Sequence, residues 1–147
     1  MQNRFVVIVG AVSCVATVAS CAGGPVNSSQ PKGSLPTITA QMTVNGKPAV
    51  TTHDVRCSQD GWSHTIEAGS KESGVQMVVG TGDKVTAQSV VLTNVGGFTG
   101  TFVANQIGKA QATIIGTTFK VSGTAKGANT DDPNKDTTAD FEIKANC

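Results

Sequence analysis

Residues 37–47 read TITAQMTVNGK. Ile38, Ala40, Met42 and Val44 alternate with Thr39, Gln41 and Thr43. A period of two puts one set on each face of a strand and marks it as half-buried. Asn45-Gly46 follows, the strongest short signal for a two-residue hairpin. The same grammar repeats downstream. Ala49–Cys57 reads as a second strand, Ser63–Ala68 as a third and Val75–Val79 as a fourth. Val85–Thr93, Phe98–Ala104, Ala110–Ile115, Thr118–Lys126 and Ala139–Cys147 continue the series. Turn residues separate them: Gln59-Asp60-Gly61, Gly69–Gly74, Gly80–Asp83 and Asn94–Gly97. Short strands at ~8–12-residue spacing indicate an all-β, antiparallel sandwich or strongly curved sheet of about eight to nine strands.

No segment has helical periodicity. Asn129–Thr138 (NTDDPNKDTT) is polar and holds Pro133 after two acids. It admits at most one short helical turn, capped by Thr130 or Asp131, or else a plain exposed loop.

Composition agrees with strands. The chain has 147 residues and 17 glycines, no tyrosine, and only 14% charged residues. Its net charge is +1, and Arg4 lies in a leader without acids, so the rest is formally neutral. Nucleic-acid binding needs a clustered basic footprint, and no Lys/Arg run exists.

The leader reads as a signal segment over residues 1–20. Met1–Arg4 carries one cation, and Phe5–Val18 is almost wholly apolar. That run is roughly 14 residues, whereas a membrane-spanning helix needs ~20. Val18-Ala19-Ser20-Cys21 then looks like a lipobox: an aliphatic residue, two small ones and a cysteine. The expectation is cleavage before Cys21 and a thioether-linked diacylglycerol on its sulfur, further acyl chains joining the new amino terminus. Two or three chains hold firmly, because each buried CH₂ contributes ~0.8 kcal/mol. Cys14 lies inside the apolar run and leaves with it. Ala22–Pro36 (AGGPVNSSQPKGSLP) reads as a flexible tether, which makes residues 21–36 the lipidated cysteine and linker and residues 37–147 the β domain. Ser28, Ser29, Ser34 and Thr37 are candidate acceptors of O-linked sugar.

Two further cysteines remain, Cys57 and Cys147. In an oxidising, exported setting they have one possible pairing, and two free buried thiols are the alternative.

The sequence carries few residues suited to catalysis or metal binding. Ser63, His64, His53 and Asp54 assemble a triad only on paper, because Gly61-Trp62-Ser63-His64 lacks the second glycine of a nucleophile elbow. His53 and His64 with an acid are a weak metal set and read better as solvent-facing polar residues. Asp131, Asp132 and Asp136 do not follow calcium-loop spacing. The expectation is no enzyme, no metal and no cofactor beyond the acyl chains. Trp62, the single tryptophan, is expected to plug the core. Val78, Val79, Val90, Val91, Leu92, Ile114 and Ile115 form paired apolar runs. One member of each pair faces the core; the other leaves room for a groove that takes a lipid or other apolar ligand.

Several segments resemble the mycobacterial 19 kDa lipoprotein antigen (LpqH) family. They are the lipobox, Val44-Asn45-Gly46-Lys47, Leu92-Thr93-Asn94-Val95-Gly96-Gly97, Phe119-Lys120-Val121-Ser122-Gly123-Thr124-Ala125-Lys126-Gly127, and Asp140–Cys147 (DFEIKANC). The resemblance covers most of the chain after the leader and is strongest from Thr118 onward. It implies a membrane-anchored antigen of the cell envelope, on the extracytoplasmic face, with a Cys57–Cys147 bond. It also implies an acylated terminus sensed by host lipopeptide receptors of the Toll-like class, and no enzymatic activity. The family antigen has a long Thr/Ser-rich linker; the linker here is short and Thr-poor, which points to a paralogue.

Overall fold

A computed structural model describes residues 30–147. The expectations for the signal segment and Cys21 lie outside the described residues. Ten strands form: β1 (Thr39–Val44), β2 (Lys47–Thr52), β3 (Val55–Asp60), β4 (Ser63–Gly69), β5 (Gly74–Thr81), β6 (Val85–Val95), β7 (Phe98–Val103), β8 (Lys109–Ile115), β9 (Thr118–Asn129) and β10 (Asp132–Asn146). All pairings are antiparallel, in the order β2-β1-β10-β9-β7-β6-β5-β4-β3, with β8 added on β9. The sheet is not closed, but it curls strongly. Its two ends, β2 and β3, are joined by only His53-Asp54.

The local causes are those of the sequence. Asn45 (φ 51°) and Gly46 (φ 73°) both take the left-handed conformation that a type I′ turn demands, and β1 folds back as β2. Alternation then fills one interior. Ala40, Met42 and Val44 of β1 meet Phe141, Ile143 and Ala145 of β10. Phe119, Val121 and Ala125 of β9 continue that layer. Ile66 and Ala68 of β4, Val75, Met77 and Val79 of β5, and Ala87, Val90 and Leu92 of β6 supply the opposite one. The step from Ala87 to Val90 breaks the period because Gln88 bulges out between two registers. That extra residue returns the apolar set to the interior and bends the strand.

β9 is the spine. Its Thr118–Thr124 portion pairs with β8, and its Lys126–Asn129 portion pairs with β7 on the same edge. Gly123 and Gly127 mark the close approaches: a Cβ on Gly123 would strike the Lys109 carbonyl, and one on Gly127 the Thr99 carbonyl. Glycine is required there for space.

Three expectations change. The single strand expected over Ala49–Cys57 is two, because the chain leaves one end of the sheet at His53-Asp54 and starts the other. No helical turn forms at Asn129–Thr138; these residues make the tip of the β9–β10 hairpin. Its register slips between Asp132 and Thr137, which accommodates Pro133, a residue with no N–H for the ladder. Ile38 is not the first inward residue of β1. It is 50% exposed and has φ 52°, while Thr39 beside it is buried.

Candidate functional site

The chain enters the domain at one end, and that end is built with care. Within the stretch read as linker, the last residues pack on the sheet. Leu35 is buried, its N–H donates to Thr118 Oγ1 at 2.8 Å, and its carbonyl accepts from Asn146 Nδ2 at 2.6 Å. Ser34 Oγ lies 3.2 Å from Thr118 Oγ1. Pro31 rests against Gly116 and Gly33 against Ile115. Thr118 and Asn146 are almost wholly buried, and an unpaired polar group there would cost about 1–3 kcal/mol. Leu35 supplies the partner for both, so the domain's fixed part begins before Thr37. One signal was available: Leu35 is the lone large apolar residue in the last ten positions of the expected linker.

The disulfide lies at the same end. Cys57 and Cys147 are bonded, with Cα atoms 6.0 Å apart. Both residues are exposed, not buried. Cys57 is on β3, the last strand of the sheet, and Cys147 follows β10, third from the opposite end. The bond therefore ties the two ends of the curled sheet across its opening.

The histidines are occupied separately. His53 Nδ1 lies 3.1 Å from Thr39 Oγ1 and 3.2 Å from the Ile38 carbonyl oxygen. His64 is half-buried, its ring centroid 5.0 Å from that of Phe119. So His64 is a packing residue at the rim of the core, not a solvent-facing one. Among the described residues no hydrogen bond joins Ser63, a histidine and Asp54, and no group of three His, Cys, Asp or Glu is placed to share a metal ion. Asp131, Asp132 and Asp136 lie exposed at the β9–β10 hairpin tip. Trp62 does not plug the core: it follows Gly61 in the β3–β4 turn and is 73% exposed.

The outer face of β9 and β10 carries one charge cluster. Glu142 accepts from Lys120 Nζ at 2.9 Å and from Lys144 Nζ at 3.3 Å. The Lys120 hydrogen bond, chiefly, holds the Glu142 carboxyl below the usual carboxylate range, against a smaller opposing effect of partial burial.

A cleft of about 860 Å³ opens between Val85–Gln88 and Lys109–Ala112. It exists because β7 stops at Val103 while β6 extends beyond it toward Val85, and β8 starts lower on β9. Ala87, Phe102, Ala110 and Ala112 line its apolar part; Gln88, Asn105 and Lys109 contribute polar groups. The paired apolar runs do not line it. Val79, Val90 and Leu92 fill the core, Val91 and Ile114 are exposed, and Val78 and Ile115 are half-buried. Only the small alternating residues Ala110 and Ala112 hinted at this opening.

The domain is thus a curled antiparallel sheet tied at one end by a surface disulfide, with its incoming segment latched to the residue before Cys147. The chain belongs to the Mycobacterium 19 kDa lipoprotein antigen family, whose profile matches residues 33–147. Its similar relatives are named as lipoproteins. A putative lipoprotein of Mycobacterium indicus pranii is 38% identical over the full length of both chains. The probable lipoprotein LppE of Mycobacterium tuberculosis is 34% identical, again over the full length of both. Lipoprotein LpqH of Mycobacterium bovis is 31% identical over 73% of this chain and 68% of its own. The chain is thus a paralogue within a lipoprotein family, and its relatives imply a membrane-anchored envelope protein.

Proposed function

We propose that the protein is acylated at Cys21 and displays its β domain on the extracytoplasmic face of the membrane, as a non-enzymatic surface antigen of host-contact type. The observation that carries this reading is the full-length match to named lipoproteins, which takes in the leader and Val18-Ala19-Ser20-Cys21 as well as the domain. The acyl chains are the one non-protein component the reading requires. Host lipopeptide-sensing receptors of the Toll-like class are the partners proposed for the acylated terminus, by resemblance to the family.

The test is made on protein from its own membrane. Mass spectrometry should find diacylglycerol on an amino-terminal Cys21, and Cys21→Ala should move the protein from the detergent to the aqueous phase of Triton X-114. Receptor reporter cells should respond to the acylated form and not to the Cys21→Ala variant. Detergent-phase partitioning that persists in Cys21→Ala would sink the anchor.

A second reading has one observation behind it: the partly apolar cleft, whose volume of about 860 Å³ falls within the ~300–1,000 Å³ range of small-molecule sites. Native mass spectrometry of the non-acylated domain after expression in a mycobacterium tests it. An apolar adduct that is lost in Ala110→Trp would support a carrier role; an adduct-free spectrum would remove it.

A further inference from the structure

We infer that the end of the domain bearing Ile38, Trp62 and Ile114 rests on the membrane surface, with Trp62 entering the interfacial layer. The inference rests on the lipid anchor for attachment and adds the orientation of the domain.

Four large hydrophobic side chains are exposed among the described residues: Ile38, Trp62, Val91 and Ile114. Three of them lie at the end where the chain enters. Ile114 pairs with Phe119, the neighbour of Thr118, and Thr118 holds Leu35. Trp62 precedes β4 closely, and the ring of His64 of β4 packs at a tilt against that same Phe119. Ile38 precedes Thr39, whose register partner Asn146 bonds the Leu35 carbonyl and adjoins Cys147. Cys21 is nine residues before Gln30, so the anchoring point can lie no further than about 30 Å from the described chain. A lipidated Cys21 keeps this end nearer the bilayer than the Asn45-Gly46 and Gly96-Gly97 turns at the far side.

Ile38 supplies an independent sign. A β-branched residue at φ 52° is a genuine outlier, strained by about 1–3 kcal/mol. Glycine or asparagine would relieve it, and the side chain buries little in return, being half exposed. A strained isoleucine kept at the surface is explained if its side chain has a partner outside the domain. Tryptophan with an apolar body and one N–H is suited to the membrane interface. The charged groups near the Trp62 turn, Asp60, Asp83 and Lys84, sum to −1 and offer no basic patch to anionic headgroups, so the contact is apolar rather than a charge attraction.

The experiment uses the chain from Cys21 onward. With Cys57 and Cys147 bonded, its single free thiol is Cys21, which couples to a maleimide phospholipid in phosphatidylethanolamine–phosphatidylglycerol vesicles carrying brominated acyl chains. This attachment works whether or not the cell acylates Cys21, so failure here is distinct from failure of the anchor, which mass spectrometry of the native protein reads. Trp62 is the sole tryptophan, so all tryptophan emission reports on it. On coupling, its emission should shift to the blue and lose roughly half its intensity to bromine, as an interfacial ring does. Changing Ile38→Gly together with Ile114→Ser should restore most of that emission, and Ile38→Gly alone should raise the melting temperature. Unshifted, unquenched emission from the coupled wild type would overturn the inference. Quenching undiminished in the double variant would overturn the surface assigned to it.

Discussion

β3 and β10 are tied by the same disulfide, yet they are held in opposite ways. β10 pairs with β1 on one side and β9 on the other, and its Ala139, Phe141, Ile143 and Ala145 are buried. β3 pairs only with β4, and every residue after Val55 is exposed. Removing apolar area from water at ~25 cal/mol per Å² stabilises β10 directly. β3 has almost none of that, so its place depends on one ladder and one covalent bond. The comparison teaches that a strand's role follows from its neighbours more than from its own alternation.

Breaking the bond is the strongest way to test the contrast. Cys57→Ser with Cys147→Ser opens a loop of 90 residues, and the chain-entropy model predicts a loss of about 4–5 kcal/mol in urea unfolding. Hydrogen exchange in the variant should accelerate first at the amides of Val55–Asp60. Equal acceleration across β10 would erase the distinction. Next in size, Ile143→Ala in the buried strand should cost about 3 kcal/mol, measured the same way, with no selective opening of β3. Gly127→Ala should cost about 2 kcal/mol or more, because the new Cβ meets the Thr99 backbone rather than a side chain that can swing aside.

Acid should weaken the β9–β10 ribbon through Glu142. The folded state holds the Glu142 carboxyl below its usual range, so the unfolded chain binds its proton more readily. That contribution is present above the ordinary carboxylate range and is lost as pH falls through the depressed folded value. Glu142→Gln should therefore flatten the acid limb of a stability–pH curve; a limb of unchanged slope would remove Glu142 from that role. The smallest effect belongs to β3. Arg56→Ala should change stability by less than about 0.5 kcal/mol, because its contacts with Asp54 and Glu67 are 3.9 Å long and all three side chains are well exposed.

Much of the fold was legible. Residues 37–47 give the strand period and the Asn45-Gly46 turn, and both depend only on local backbone geometry. The exposed hairpin tip at Thr130–Asp131 was less legible, since polar residues with a proline suit a loop, a helical turn or a strand end equally. The candidate site was harder still. Trp62 reads as core by residue type, and only its place in a two-residue turn turns it outward. Leu35 sits among linker residues, and its burial depends on Thr118 and Asn146, about 80 and 110 residues away.

Local pattern and composition alone specify antiparallel strands, their turns, the leader pattern ending at Cys21, and two further cysteines left to pair. Tertiary structure decided which edges met. It split the second strand at His53-Asp54, placed β7 and β8 end to end on β9 to leave the cleft, and brought Cys57 to Cys147 at the end where Leu35 is latched. The physical reason is that period and turn type are set by neighbours within a few residues. Edge pairing and curl are set by which distant apolar faces can be buried together, and the exposed Ile38, Trp62 and Ile114 are what that burial left at the end where the chain enters the domain.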